Sequence, residues 1–373
     1  MRRRYRSLTT RAGKSALVDE LVETTGYHRK HAIRALAGPP VPHKKRASKQ
    51  LMYREALPAI QAVWEALDYA CAERVHPVLS WTAEHLASLG AITLSAAARD
   101  QLTRISRATL ARRLATFPKP TAGLHIRRPR AQSALLKQIP IERFAQDESR
   151  PGALEVDLVE HNGGSSSGHY AYTLDVTDVV TGWCGRRACL GRSQKAVFAA
   201  LAHILAAWPV QPWAIHGDNG SEFMNDHLLR YTKLNGLRLI RSRPYHKNDN
   251  PHVEQRNRQY VRQVVGYDRY DTEAEVDWLN AIYDLMDVYT NLFLPTMKLI
   301  AKSRDGGKVR KRFDHANTPL CRLLATDALT APTAARLVAQ RGSLNPLELR
   351  RRIERMIFAG HAAAEARAVA AEN

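Results

Sequence analysis

The spacing of apolar positions separates the chain into a helical first part, an α/β middle and a mixed end. Over residues 14–37, apolar residues recur at helical spacing on either side of a break at Gly26-Tyr27, namely at Leu17, Leu21, Val22, Ile33 and Leu36. A second pair of short helices is predicted over residues 95–117, where Ser106 can cap the second helix. Two short helices joined by a tight turn are typical of a helix-turn-helix.

The middle of the chain switches to short strands that alternate with helices. Alternating apolar and polar positions predict five strands, over 153–162, 169–178, 183–190, 213–218 and 237–243. Helical spacing predicts three helices, over 193–208, 221–236 and 252–266, with a polar loop at 244–251 before the last. This order predicts an α/β domain with a mixed five-stranded sheet and flanking helices.

Changes in composition give the domain boundaries. Residues 39–50 are basic and rich in proline, and residues 118–150 contain prolines without a clear period, so both are predicted to be linkers. Residues 298–314 predict a basic hairpin that turns at Asp305-Gly306-Gly307. The predicted organisation is a helix-turn-helix domain (1–38), a helical domain with a second helix-turn-helix (51–117), an α/β core (151–292), a basic β-hairpin or small barrel (293–330) and a helical tail (331–373).

Charge is distributed unevenly along the 373 residues, which carry a net +20. Residues 1–50, 51–150 and 291–373 carry +10, +5 and +8, whereas residues 151–290 carry −3. Basic flanks favour a polyanionic partner, because each neutralised phosphate releases counterions. A basic protein without such a partner is the alternative.

The sequence also indicates a cellular setting. It has no run of about 18 apolar residues that would span a membrane, and its basic start is not followed by the apolar stretch of a secretory signal. Its four cysteines are scattered and form no CxxC pair, which argues against a zinc ribbon or a disulfide framework. We therefore expect a cytoplasmic protein that associates with the bacterial nucleoid and not with a membrane.

Three carboxylates fall at informative positions in the α/β region. Asp157 lies inside the first predicted strand, Asp218 ends the fourth, and Glu254 lies in the first turn of the last helix. Each alone has a structural explanation, as an edge charge, a helix cap or a favourable charge at a helix N-terminus. Together they form a set of oxygen ligands that suits Mg²⁺, and two such ions about 3.5–4 Å apart can promote in-line phosphoryl transfer.

Other acidic residues compete for the first of these positions. Glu155 shares the strand face of Asp157, whereas Glu160 lies on the opposite face. Asp175 and Asp178 lie on the second predicted strand. The residues alone leave the choice between these acids open.

Three stretches carry a family resemblance: LEVDLVEH, IHGDNGSEF and RPYHKNDNPHVEQRNR. They resemble the catalytic core of the retroviral-integrase superfamily, and more closely that of bacterial insertion-sequence transposases. Asp218 and Glu254 are separated by 35 residues, which matches the aspartate–aspartate–35–glutamate motif of that family. The resemblance is strongest over 150–290. It departs at the N-terminus, where retroviral integrases carry a His-His-Cys-Cys zinc module and this chain has helix-turn-helix candidates.

The resemblance implies an RNase H-like fold and a DDE-type polynucleotidyl transferase. Such enzymes cleave DNA strands at element ends and join the 3′-OH to target DNA, using two Mg²⁺ or Mn²⁺ ions per site. It implies that Asp157, Asp218 and Glu254 are the catalytic and metal-binding residues, and it ranks Asp157 ahead of its acidic neighbours. Because the reaction brings two ends together, we expect double-stranded DNA and further copies of the chain as partners, with an accessory transposition protein as another candidate.

Basic residues at four places are expected to contact DNA. They are Arg29, Lys30, His31 and Arg34 in the first helix-turn-helix; Arg107, Thr109, Arg112 and Arg113 in the second; Arg241, Arg243, His246, Lys247, Arg256 and Arg258 around the carboxylates; and Lys302, Arg304, Lys308, Arg310, Lys311 and Arg312 in the hairpin. For the first helix pair the alternative is a helical hairpin with a solvated basic face, and for the polar loop it is a solvated loop. For the basic hairpin the alternative is a charged edge strand that is kept from aggregating.

The sequence thus predicts a DNA transposase, and two other functions stay open. One is a DNA-binding regulator with an inactive integrase-like core, against which the three intact carboxylates argue. The other is an RNase H-like nuclease that acts on RNA–DNA hybrids. The helix-turn-helix candidates argue against it, because readers of duplex DNA are not needed to bind a hybrid by its shape.

Overall fold

The computed structural model describes residues 1–38, 53–118, 150–217, 231–241, 257–305 and 308–372. The chain divides into two compact units, Met1–Met52 and Tyr53–Asn373. Within the described residues, no helix is long and apolar enough to cross a lipid bilayer.

The first unit consists of three helices, α1 (Arg2–Ser7), α2 (Arg11–Thr25) and α3 (Arg29–Ala37). Gly26 ends α2 in the left-handed conformation, with a φ of 67° that favours glycine, and its N–H donates to the carbonyl of Val22. Val18, Ala32 and Leu36 form the small core between the helices. The two helices predicted over 14–37 are therefore present, with the break where the sequence indicated it.

The second unit begins with a helical layer made of α4 (Leu57–Ala66), α5 (Ala72–Val75), α6 (Leu79–Ser88), α7 (Ala96–Arg104) and α8 (Arg107–Leu114). Ser106 caps α8 as predicted, because its Oγ accepts a hydrogen bond from the N–H of Thr109 at 3.2 Å. The layer packs on later parts of the same unit. Tyr289 donates to the carbonyl of Ala66 at 2.8 Å, and a ring nitrogen of His85 lies 2.8 Å from the carbonyl of Leu344.

A mixed five-stranded sheet forms the centre of the second unit. Its strands are β1 (Ala153–Glu160), β2 (Ala171–Asp178), β3 (Cys184–Leu190), β4 (Ala214–Gly217) and β5 (Arg238–Arg241). Their order is β3-β2-β1-β4-β5, with β1 antiparallel to β2 and parallel to β4. The prediction of a mixed five-stranded sheet with flanking helices is confirmed, and each strand lies within its predicted range.

The two faces of this sheet differ in chemistry. Helix α9 (Gln194–Ala206) covers an apolar face, where Leu154 and Val156 of β1 pack with Val197 and Leu201. The opposite face lies under a long helix that runs from Glu273 to Leu292, labelled α11 below. Side chains alternate along a strand, so the odd-numbered residues of β1 point to this second face.

The helix predicted over 252–266 differs from its prediction. Residues 257–262 form a π-helix (Asn257–Arg262), which continues as the short α10 (Gln263–Val265). Hydrophobic spacing does not distinguish the wider π-turn from an α-turn, and π-turns are rare and often lie at functional sites. Helix α11 follows and begins with a capping box between Thr272 and Glu275. The predicted start of the helix, at 252–256, lies outside the described residues.

The C-terminal part contains the predicted hairpin and three helices. The hairpin is a separate two-stranded sheet of β6 (Leu299–Asp305) and β7 (Lys308–Phe313). Helices α12 (Pro319–Leu324), α13 (Ala331–Ser343) and α14 (Pro346–Glu372) follow. Helix α14 packs back on the unit, since Trp278 of α11 donates to the carbonyl of Met356 at 3.0 Å.

Candidate active site

The second face of the sheet carries a layer of polar side chains between the strands and α11. Strand register explains why they lie together: Asp157 stands opposite Asp175 of β2, Asp175 opposite Arg186 of β3, and Glu155 beside His216 of β4. All of these side chains except that of Asp157 are buried. Buried charges require partners, so the fold must hold these side chains in fixed positions relative to one another.

Asp157 is half-buried and is held from above by the π-helix. The amide Nδ2 of Asn257 donates to Oδ2 of Asp157 at 2.6 Å. Asn257 is itself buried, so this hydrogen bond fixes the carboxylate against the first turn of the π-helix. The contact joins β1, which carries Asp157, to the π-helix, which follows Glu254 in the sequence.

Arg186 is the central cation of the polar layer. Its Nη1 lies 2.6 Å from Oδ1 of Asp287 on α11, and its Nε lies 3.9 Å from Oδ2 of Asp175. Its guanidinium also stacks on the ring of Tyr260, 4.9 Å from the centroid. Burial alone would lower the pKa of Arg186, but Cys184, Asp287 and Asp175 outweigh it, so the pKa is raised and Arg186 stays charged.

The acid partner on α11 has a perturbed protonation equilibrium. Burial raises the pKa of Asp287 to about 7, although Arg186 and a backbone hydrogen bond from Arg186 act in the opposite direction. The N–H of Arg186 donates to Oδ2 of Asp287 at 2.8 Å. The carboxyl of Asp287 therefore titrates near neutral pH while it is in contact with the arginine.

Neutral hydrogen bonds extend the layer toward the end of β1. The hydroxyl of Thr173 on β2 lies 2.9 Å from Oη of Tyr283 and 2.7 Å from Nε2 of His161. Burial lowers the pKa of His161 to about 3, with a smaller contribution from Arg262 in the same direction. His161 is therefore neutral at physiological pH and acts as a hydrogen-bonding residue.

The other two predicted carboxylates are not among the described residues. Asp218 follows directly after Gly217, the last residue of β4, and Glu254 precedes Asn257 by three positions. Among the residues that the structure does describe, no group of three or more histidine, cysteine, aspartate or glutamate side chains is arranged to hold a metal ion.

The residues predicted to contact DNA fall into three groups. Some lie on described helices and strands: Arg29, Lys30, His31 and Arg34 on α3; Arg107, Thr109, Arg112 and Arg113 on α8; and Arg304, Arg310, Lys311 and Arg312 on the hairpin. Thr109 and Arg113 are half-buried, and the others are exposed. Others lie outside the described residues: Arg243, His246, Lys247 and Arg256. The backbone alone is described for Arg241, Arg258, Lys302 and Lys308.

Several of these basic side chains already have partners within their own helical units. Arg29 forms an ion pair with Asp19, and its Nη2 donates to Oγ of Ser15 at 2.6 Å. Arg112 donates to Oγ1 of Thr109 at 3.1 Å. Such exposed contacts are weak, so they do not prevent either arginine from turning to a phosphate.

Sequence reasoning missed the residues that hold the site together. Arg186, Asp287 and Asn257 received no role, although Arg186 lies inside a predicted strand where a charge needs a partner. Asn257 lies inside the quoted VEQRNR stretch, three positions after Glu254. The strand position of Arg186 was therefore an available signal, whereas its partner on α11 could not be found without the fold.

The fold and this layer define an α/β protein with a mixed sheet and carboxylates on one sheet face. No known protein-family model matches the chain. It is 37% identical over 323 residues to the "Uncharacterized protein y4rM" of Sinorhizobium fredii, a match that covers 86% of this chain and 91% of that protein. The chain belongs to the same family as y4rM.

The chain is also similar in part to solved structures. The crystal structure of the catalytic core domain of BIV integrase matches with a TM-score of 0.32 and 15% sequence identity. The match covers 47% of this chain and 94% of that domain.

Proposed function

We propose that this protein is a metal-dependent polynucleotidyl transferase that acts on double-stranded DNA, in the manner of a transposase. The observation that carries the proposal is the hydrogen bond from Asn257 to Asp157. It ties β1, which carries Asp157, to Asn257, which follows Glu254 by three positions in the sequence.

The register between β1 and β4 supports the third carboxylate. Ala153 pairs with Ala214 and Glu155 with His216, so paired residues differ by 61 positions. Asp157 and Asp218 also differ by 61 positions. A parallel pair that kept this register would align the two aspartates at one sheet edge, where α/β proteins place their sites.

The donor chemistry of these residues fits a hard divalent cation. Asp157 is an oxygen donor that is half-buried and therefore reachable, and Asp218 and Glu254 would add further carboxylate oxygens. In this proposal the three residues hold Mg²⁺ or Mn²⁺, two ions per site. When bound, the metal would supply Lewis-acid activation of a phosphodiester bond. The role of Asn257 is to orient the carboxylate of Asp157 for metal binding.

The basic surfaces outside the site are proposed to hold the DNA. In this proposal α2 and α3 serve as a helix-turn-helix, and α7 and α8 serve as a second helix pair with arginines on α8. The hairpin adds a third basic surface. Two element ends must be joined in one reaction, so further copies of the chain are the expected partners.

The test is strand transfer in vitro with the full chain. Substrates are labelled duplexes carrying the terminal sequences that flank its own gene, with Mg²⁺ or Mn²⁺ supplied. Joined products should form and should disappear in Asp157→Asn, Asp218→Asn and Glu254→Gln. Glu160→Gln is the matched control, because Glu160 lies on β1 but on its other face.

Each outcome separates the proposed activity from its alternatives. Tight binding to these ends without metal-dependent products from any substrate would contradict the transferase and favour a regulator. Cleavage of a labelled RNA–DNA hybrid in preference to the duplex would favour a nuclease. Light scattering on the DNA complex measures the number of copies.

A further inference from the structure

The β6–β7 hairpin is a ribbon of two strands with both faces open. Exposed side chains on it include apolar as well as basic residues: Val309 and Phe313 are 47% and 46% exposed. Isolated two-stranded hairpins are marginally stable in water. A partner is therefore expected to cover this ribbon, and the chemistry of its faces identifies that partner.

The register assigns the ribbon's described side chains to two faces. Ser303 pairs with Arg310, and Ala301 with Arg312, so these residues share the first face. Arg304 pairs with Val309, and strand alternation adds Lys311 and Phe313 to the second face. Each face therefore presents two exposed cations among the described side chains: Arg310 and Arg312 on the first, and Arg304 and Lys311 on the second.

The base of the ribbon is fixed to the central sheet. The Nζ of Lys298 donates to the carbonyls of Val179 and Val180, directly after β2, and the bond to Val179 measures 2.6 Å. Asp314 accepts from the N–H of Lys298 and from Arg322, each at 2.6 Å. The ribbon is thus a projection with a braced base and two cationic faces.

We infer that this ribbon enters the major groove of duplex DNA, with one face toward each phosphate backbone. This rests on the proposed function for the presence of DNA. Two strands about 4.8 Å apart, with their side chains, match a groove about 12 Å wide and are too broad for the minor groove of about 6 Å.

The apolar residues favour the same groove. On the second face, Val309 lies beside Arg304 and Lys311, and Phe313 lies beside Lys311 and pairs with Leu299. Thymine methyl groups along the wall of the major groove offer apolar contact to these side chains. Edge-to-edge pairing with a second copy of the ribbon is less favourable, because it would bring like charges side by side. Insertion into DNA satisfies both the charge and the apolar surface of the ribbon.

The first test measures the salt dependence of binding to a short linear duplex by fluorescence anisotropy. The full chain is compared with two double variants, Arg310→Ser with Arg312→Ser, and Arg304→Ser with Lys311→Ser. Each should reduce the slope of log affinity against log salt by about 2, because each removes two phosphate contacts. The control is Arg352→Ser with Arg355→Ser, two exposed arginines on α14, which should leave the slope unchanged.

The second test places the ribbon in a groove. Dimethyl sulfate methylates guanine N7 in the major groove, so the unaltered chain should protect guanines that the ribbon variants leave reactive. A slope that changes for one face alone would overturn the inference, as would competition by the minor-groove ligand netropsin. Circular dichroism confirms that each variant is folded, and Arg310→Lys with Arg312→Lys, which keeps both charges, should keep the slope.

These outcomes are distinct from failure of the proposed activity. If the protein forms no metal-dependent products but shows the two slope changes and N7 protection, the inference about the ribbon is supported and the proposed transferase activity is contradicted. If the protein forms joined products but the ribbon variants leave the slope unchanged, the proposed transferase activity is supported and the inference about the ribbon is contradicted.

Discussion

Replacing Arg186 by methionine should strongly destabilise the second unit. Methionine keeps most of the apolar volume but removes the positive charge. Among the described side chains, Arg186 is the only cation that is seen to pair with both Asp175 and Asp287. Asp175 is fully buried, and it would lose the ion pair that it forms with this cation. Breaking a buried ion pair on one side costs about 3–5 kcal/mol, and we expect Arg186→Met to fall in that range.

The neighbouring residue provides a matched control. Arg187 lies one position further on β3 and forms an ion pair with Asp284 at 3.5 Å, where the aspartate side chain is 63% exposed. Exposed pairs contribute about 0–1 kcal/mol, so Arg187→Met should cost no more than that. The two variants change the same residue type in the same strand, and they differ in burial.

Urea unfolding followed by circular dichroism measures both costs at about pH 7.5 and again at about pH 5.5. At the lower pH Asp287 can take a proton more readily, since its pKa is raised to about 7. The deficit of Arg186→Met should therefore shrink on acidification, whereas that of Arg187→Met should not. A cost for Arg186→Met as small as that of Arg187→Met would refute the view that this layer depends on its central cation.

Three further predictions concern single residues. Asn257→Ala should lower strand transfer by about 10–100-fold, and raised Mn²⁺ should restore part of it, because the orientation of Asp157 is lost. Asp287 has a raised pKa in the folded state, so its contribution to stability should fall as the pH rises from about 4 to 7. Asp287→Asn should therefore make the free energy of unfolding less dependent on pH over that range. Gly360→Ala would place a Cβ 2.1 Å from the ring of Trp278, so it should cost about 1–3 kcal/mol in thermal unfolding.

The sheet could be predicted from the sequence because its signals are local. Alternation marked each strand, and Ser193 caps α9 as a serine before a helix should. The position of Asp157 on a strand face followed from the same alternation, and β1 shows it there. Local pattern was therefore sufficient for the elements and for one residue of the site.

The rest of the site could not be predicted because it depends on long-range pairing. Asp287 lies on a helix 101 residues after Arg186 in the sequence, and no spacing rule connects the two. The π-turn at Asn257 also has no signature in hydrophobic spacing, since it differs from an α-turn by one residue in its hydrogen bonds. Both features arise from packing between elements that are distant along the chain.

The different chemistry of the two sheet faces disfavours folding with β1 in the wrong register. If β1 slipped by one residue against its neighbours, Glu155 and Asp157 would turn into the apolar layer under α9, and Leu154 and Val156 would turn into the charged layer. Both changes are costly at once, so a misaligned strand cannot persist in a folded chain. Copies with a misplaced Asp157 should thus be unfolded copies, open to proteolysis, and should not accumulate as intact but inactive protein.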